Sequence, residues 1–95
     1  MSPLGRLKYA FGVLTGRQLA EKQMRNALGG SLKLGSRNGN TLTQQSLRVT
    51  PDGRAIVKIN KSVTATPKGI SSVVKTEVFD REGRLKVQNL RRRSA

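Results

Sequence analysis

The cationic side chains are the residues of this sequence whose number and spacing point to chemistry. The 95-residue chain has 19 Lys and Arg against 5 Asp and Glu, a formal charge of +14. A small soluble domain needs a net charge of only about 2 to 8. Uncompensated cations repel one another and weaken a compact fold, so this surplus indicates an anionic partner. Cations occur in every segment, which favours an extended polyanion such as nucleic acid over a small acidic ligand in one pocket.

The sharpest cationic cluster is Arg91-Arg92-Arg93, directly after the last predicted strand. Guanidinium groups make bidentate contacts with phosphates, so residues 91–95 are interpreted either as a basic arm that reaches phosphates or as a solubilising tail. A second cationic stripe is expected on adjacent strands, formed by Arg48, Lys58, Arg84 and Lys86. The complete set of candidate nucleic-acid-binding residues is Lys33, Arg37, Arg48, Lys58, Lys61, Arg84, Lys86, Arg91, Arg92 and Arg93.

Residues suited to catalysis or metal binding are scarce. The chain has no Cys and no His, which removes thiolate nucleophiles, the commonest metal ligand and the usual general base. Asp80 and Glu82 are interpreted as hairpin-turn residues rather than as ligands of a divalent ion. We therefore predict a nonenzymatic protein without cofactor or metal. No apolar run approaches the roughly 18 to 20 residues of a membrane span, and no secretory signal is recognised, so the sequence predicts a soluble chain of unassigned compartment.

Residues 1–28 have the apolar spacing of helices. A first helix is expected to start at Ser2-Pro3, because Ser caps free amides and Pro loses no bond in the first turn. A second helix is predicted over 17–28, where strong helix formers dominate. Apolar residues recur at intervals of three, four and three in the first helix, which predicts one stripe that is a candidate protein interface. Its members are Leu4, Leu7, Phe11 and Leu14.

The chain changes character after residue 40. Residues 29–40 are rich in Gly, Ser and Asn and predict a flexible basic loop, either a plain linker or a phosphate-binding segment. From Thr41 the apolar period is two, and turn signals recur. We predict an antiparallel sheet within 41–90, a four-stranded meander with strands at 42–50, 54–66, 70–80 and 84–90. The fold class is therefore α+β, with two N-terminal helices packed on this sheet.

Counting register across the predicted hairpins exposes a conflict between the two faces. Three-residue loops would pair Leu47 with Val57 and Phe79 with Leu85, and Ile56 would then lie on the opposite face from Leu47. Both faces would be partly apolar, although two helices cover only one of them. The second face is expected to meet another copy of the chain or another protein, unless a bulge or a different register removes the conflict.

Two classes of function follow. The first is an RNA- or DNA-binding protein of a ribonucleoprotein, nucleoid or virion that contacts the phosphate backbone. Aromatic residues make up only 3% of the chain, which disfavours recognition by base stacking. The alternative is a virion or scaffold assembly protein acting through protein contacts, and both versions predict a homo-oligomer or larger assembly. A membrane-facing or organelle-targeting role of residues 1–20 is least favoured, because their apolar stripe equally suits packing on a sheet.

Overall fold

The computed structural model describes residues 3–28 and 30–94, with side chains from residue 5 onward. Within these residues the two helices are α1 (Pro3–Thr15) and α2 (Glu21–Ala27). The five strands are β1 (Leu32–Asn38), β2 (Thr41–Val49), β3 (Ala55–Thr66), β4 (Gly69–Asp80) and β5 (Leu85–Ser94). They form one antiparallel sheet in chain order. The α+β class with two N-terminal helices is confirmed, but the described sheet has five strands rather than four.

The first helix begins where the sequence predicts, whereas the second begins later for a reason that a local hydrogen bond explains. α1 begins at Pro3, while the predicted cap Ser2 lies outside the described residues. α2 begins at Glu21 rather than at residue 17, because the side chain of Gln23 accepts a hydrogen bond of 3.1 Å from the Ala20 amide. That contact satisfies one of the amide donors that a helix start leaves free.

The additional strand β1 occupies most of the segment whose composition predicts a loop. Leu32 and Leu34 alternate with polar residues, and a two-residue turn joins β1 to β2 because Asn38 pairs with Thr41. Gly39 has φ 60°, as a type II′ turn requires of its first central residue. The loop prediction was wrong for 32–38: Gly39-Asn40 between two runs with alternating apolar residues is a hairpin signal, and the many glycines obscured it.

The hairpin between β2 and β3 has a register one residue away from the predicted one. Val49 pairs with Ile56, so the predicted pairing of Leu47 with Val57 is wrong. The cause is a loop of four residues, 51–54, between Thr50 and Ala55, whose backbone groups are joined at 3.0 Å. A one-residue slip reverses the face of every side chain in a strand. It therefore brings Ile56 to the same face as Leu47 and Val49. The predicted pairing of Phe79 with Leu85 is confirmed.

The hydrophobic core lies between the helices and one end of the sheet. The helices contribute buried Ala10, Phe11, Leu14, Met24 and Ala27, with Leu19 from the connection between them. The sheet contributes Leu47, Val49, Ile56 and Phe79. Burial of a side chain of this size stabilises a fold by about 1.5–3 kcal/mol. We call the side of the sheet that carries these four residues the helix face, and the other side the open face.

The apolar stripe that the sequence offers as a protein interface is used inside the chain. Phe11 is fully buried, Leu14 is 8% exposed, and Leu7 packs against the same core. The side chain of Leu4 lies outside the described part of the structure. This stripe packs on the helix face of the sheet because the observed register of β2 and β3 places the apolar strand residues on that face.

The sheet extends well beyond the helices. β3 and β4 each have 12 residues, about 40 Å of strand, whereas the 13 residues of α1 span about 20 Å. The radius of gyration is 14.6 Å, compared with about 12 Å for a compact domain of this length. The helices therefore cover only one end of one face, and the whole open face stays accessible in the isolated chain.

Candidate nucleic-acid interface

The open face gathers six of the ten candidate cations. Residues that are directly paired in adjacent strands share a face, and alternate residues along a strand point to the same side. Leu47 marks the helix face of β2, so Arg48 lies on the open face together with its partner Val57. The same pairing logic places on the open face Lys33, Arg37, Arg48, Lys61, Arg91 and Arg93. All six are solvent-exposed.

Two neighbouring cross-strand rows bring three of these cations together. In the first row Val74 of β4 pairs with Lys61 on one side and with Arg91 on the other. Adjacent strands are about 4.8 Å apart, so the backbones of Lys61 and Arg91 are about 10 Å apart. In the second row Ser72 pairs with Arg93. A shallow concavity of about 570 Å³ follows these rows and is lined by Lys61, Ser72, Val74, Arg91, Arg92 and Arg93.

Aliphatic side chains occupy the rest of the open face. Leu42, Ile70 and Val87 are 54%, 57% and 59% exposed. Others are covered to a greater extent by their neighbours: Val57, Ile59, Val63, Val74 and Val78. The result is an apolar centre with cations at both edges and one cation, Lys61, in its middle. An apolar surface of this kind with a polar border is typical of a binding site.

Most of the carboxylates form ion pairs away from the six open-face cations. Three of them form ion pairs, Arg6–Glu82 at 3.7 Å, Arg25–Glu21 at 3.6 Å and Lys75–Glu77 at 3.7 Å. Glu77 and Lys75 lie on the helix face, and the other two pairs involve the helices. Among the described residues, none of the six open-face cations forms an ion pair with a carboxylate. Among the described residues the open face carries one carboxylate, Asp80 at the end of β4, which accepts hydrogen bonds from loop amides, so the face is strongly positive.

The two remaining carboxylates, Asp52 and Asp80, hold hairpin loops. The Thr50 hydroxyl and then the Arg54 amide donate to Asp52, which lowers the pKa of that carboxyl. The Arg84 amide donates to Asp80 at 2.9 Å and, with the Glu82 amide, lowers its pKa in the same way. Within the described residues no three Cys, His, Asp or Glu side chains come close enough to hold a metal ion.

Lys58 does not belong to the open face, although the sequence places it in a cationic stripe with Arg48. It lies on the helix face opposite Glu77, and its Nζ donates a 2.7 Å hydrogen bond to the carbonyl oxygen of Leu14 in the last turn of α1. Arg84 lies in the loop before β5, and Lys86 is the extra residue of a β-bulge. The predicted stripe is therefore not formed.

The predicted basic tail is part of the sheet. Arg91, Arg92 and Arg93 pair with Val74, Val73 and Ser72 of β4. Strand alternation sends Arg91 and Arg93 to the open face and Arg92 to the helix face. β5 is exposed along its length, and positive residues on an edge strand also discourage pairing with the edge of another sheet.

Sequence reasoning missed the small polar residues of the open face beside these arginines. Ser72 and Thr76 lie on β4, and Asn89 on β5 pairs with Thr76. The bulge at Lys86 decides which residues of β5 join them, since Val78 pairs with Val87 while Phe79 pairs with Leu85. The alternation within β4 was a usable signal for Ser72, but no residue type marks the bulge.

Comparison of the chain with protein-family models, curated proteins and solved structures finds no match. Of the helices in the described residues, none combines the length and apolarity required to cross a membrane. The open face contributes an array of exposed cations around an aliphatic centre, and those two properties decide which ligands complement it.

Proposed function

We propose that this protein is a nonenzymatic nucleic-acid-binding protein that contacts the phosphate backbone through the open face of its sheet. The observation that carries this proposal is the set of six exposed open-face cations without a carboxylate partner among the described residues. Phosphates supply negative charges at regular spacing along a chain. Binding of Lys and Arg to them releases condensed counterions, which drives association.

The other side chains of the open face also suit the backbone more than base edges. Ser46, Ser72 and Asn89 carry short hydrogen-bonding groups of the kind that contact phosphate and sugar oxygens. Phe11 and Phe79 are buried, and Tyr9 lies on α1, so the three aromatic residues of the chain are absent from this face. Binding therefore uses charge and small polar groups and tolerates many sequences.

A second function, assembly through self-association, draws support from the aliphatic centre of the same face. A second copy would cover Ile59 and Val63 but would also cover Lys61, which lies between them on the middle strand. Burying a cation without an anion costs more than the surrounding apolar contacts return. We therefore rank self-association second. Assembly of several copies along one bound nucleic acid, as in a ribonucleoprotein, nucleoid or virion, combines nucleic-acid binding with self-association.

Fluorescence anisotropy of a labelled 20-nucleotide RNA or DNA at 50 to 200 mM NaCl tests the proposal. We expect the logarithm of the affinity to fall linearly with the logarithm of the salt concentration, with a slope of about −4 for six contacts to a single strand. Replacing Lys33, Arg37 and Arg48 by Ala should reduce the magnitude of the slope by about 2. The matched control replaces three helix-region cations, Lys8, Arg17 and Lys22, and should leave the slope within about 0.5 of the original value.

Three outcomes would refute the proposal: no binding to either nucleic acid, binding that does not respond to salt, and equal losses in the two triple variants. The last outcome would mean that total charge alone, rather than the open face, determines the affinity.

A further inference from the structure

We propose that the ligand of the open face is single-stranded nucleic acid, and that Lys61, Ser72, Arg91 and Arg93 hold a stretch of its phosphates. We call these four residues the anchor cluster. This inference rests on the proposed function and specifies its ligand. It follows from three observations: the geometry of the cluster, its position in the sheet, and the aliphatic residues that surround it.

The geometry of the anchor cluster suits phosphate oxygens. Lys61 and Arg91 flank Val74 from opposite sides, while Arg93 lies opposite Ser72 in the next row of the same face. Lys61, Arg91 and Arg93 therefore border the same concavity of about 570 Å³ as Ser72. Guanidinium groups bind phosphate through two parallel hydrogen bonds, and the ammonium adds a compact charge. The three cations are exposed and have no carboxylate ion pair among the described residues.

The position of Lys61 indicates a ligand that can lie across the sheet. Lys61 is on β3, the middle strand, whereas Arg91 is on the β5 edge and Lys33 is on the β1 edge, about 19 Å away from β5. A duplex is a stiff rod that does not follow a surface over so short a distance. If its phosphates met the middle of the sheet, its curvature would lift it from both edges. A single strand bends between nucleotides and reaches all three positions.

The aliphatic residues around the cluster complement unpaired bases. Val74 separates Lys61 from Arg91, and Ile59 and Val63 flank Lys61 along β3. A ligand that satisfies this pattern alternates anionic and apolar groups. Single-stranded nucleic acid does so, because its base faces are available, whereas base pairing and stacking hide those faces in a duplex. Contact with aliphatic side chains does not depend on base identity, so we expect little sequence preference.

The test compares one 20-nucleotide strand with the blunt duplex that contains it, both as RNA and as DNA, by fluorescence anisotropy at 100 mM NaCl. We expect the single strand to bind at least tenfold more tightly than the duplex. Replacing Lys61, Arg91 and Arg93 by Ala should weaken single-strand binding at least tenfold and reduce the salt slope by about 2. The control triple variant at Lys8, Arg17 and Lys22 should retain the original affinity within about threefold.

A fourth variant separates apolar contact from charge. Val74→Thr keeps the branched shape of the side chain but introduces a hydroxyl, so it should weaken single-strand binding about threefold without changing the salt slope. Because Val74 lies on the open face, outside the core, circular dichroism should show the same fold and melting behaviour as the original protein.

The possible results distinguish this inference from the proposed function. Equal or tighter binding of the duplex overturns the single-strand ligand. Retained binding by the anchor variant overturns the cluster and leaves the proposed function standing. Failure of both nucleic acids to bind refutes the proposed function itself. Tighter binding to vesicles of phosphatidylcholine with 30% phosphatidylserine, or a stable dimer in light scattering without nucleic acid, identifies a different occupant and overturns the inference.

Discussion

Replacing Lys58 by Met is expected to destabilise the fold without weakening nucleic-acid binding. Lys58 is half-buried on the helix face, where its Nζ donates at 2.7 Å to the Leu14 carbonyl in the last turn of α1. The final carbonyls of a helix lack partners within the helix, and its C-terminal end attracts positive charge. Lys58 therefore connects the end of α1 to the middle of the sheet.

The expected loss follows from the type of hydrogen bond. A hydrogen bond with one charged partner contributes about 1.5–3 kcal/mol. Met keeps a flexible unbranched side chain, so the packing of the stem changes little. We expect the free energy of unfolding to fall by about 2 kcal/mol. For a domain of this size the melting temperature should then drop by about 8–16 °C.

The assay is thermal and urea unfolding at pH 7, monitored by circular dichroism. Lys61→Met is the matched control, because Lys61 lies three residues further along the same strand but on the open face. This exposed site should change stability by less than about 0.5 kcal/mol. Anisotropy should give the opposite ranking, with single-strand binding weakened by Lys61→Met alone. Equal stabilities of the two variants, or a smaller salt slope for folded Lys58→Met, would refute this reasoning.

Three further changes test the loops and the core. Gly53→Ala should lower the free energy of unfolding by about 1–2 kcal/mol, because Gly53 has φ 72°, whereas Gly35→Ala in β1 meets only ordinary contacts and should not destabilise comparably. Ile56→Val should cost about 0.5–1.5 kcal/mol by urea unfolding, and no loss would mean that this site is not closely packed. Hydrogen bonds lower the pKa of Asp52 and Asp80. Their stabilisation should be complete above the unfolded pKa of about 3.9 and be lost as the pH falls through the lower folded values. Urea midpoints from pH 7 to pH 2 should show this fall, and Asp80→Asn should reduce it; an unchanged profile would contradict the assignment.

Periodicity was sufficient to predict the class of the fold. The spacing of Phe11 and Leu14 indicated a helix with one apolar side, and alternation after Thr41 indicated strands. The register of β2 against β3 depended on the length of the loop between them, which composition does not encode. Gly53 supports a left-handed turn whether or not Arg54 belongs to the loop. Including Arg54 in the loop shifts the register by one residue, and this shift decides whether Ile56 faces the helices or the open side.

The candidate site was predicted as a set of residues rather than as an arrangement. Continued alternation from Leu85 without a bulge would send Arg92 alone to the open face. The extra residue Lys86 reverses the alternation, so Arg91 and Arg93 lie there instead. Because neither residue type nor spacing marks this bulge, the anchor cluster could not be derived from the sequence. The structure creates it by combining a bulge in one strand with a serine and a lysine from two others.

The cations on the two faces of the sheet differ in their partners within the protein, and this difference relates the fold to its proposed ligand. On the helix face Lys58 bonds to a carbonyl and Lys75 to Glu77, so these cations serve the fold. On the open face no cation forms an ion pair with a carboxylate among the described residues, and most pairs of these cations lie about 10 Å or more apart, beyond the Debye length of about 8 Å, so physiological salt screens most of their repulsion. The charges therefore cost the isolated sheet little at physiological salt, and a ligand that brings phosphates to Lys61 and its neighbours gains affinity from them through the release of its condensed counterions.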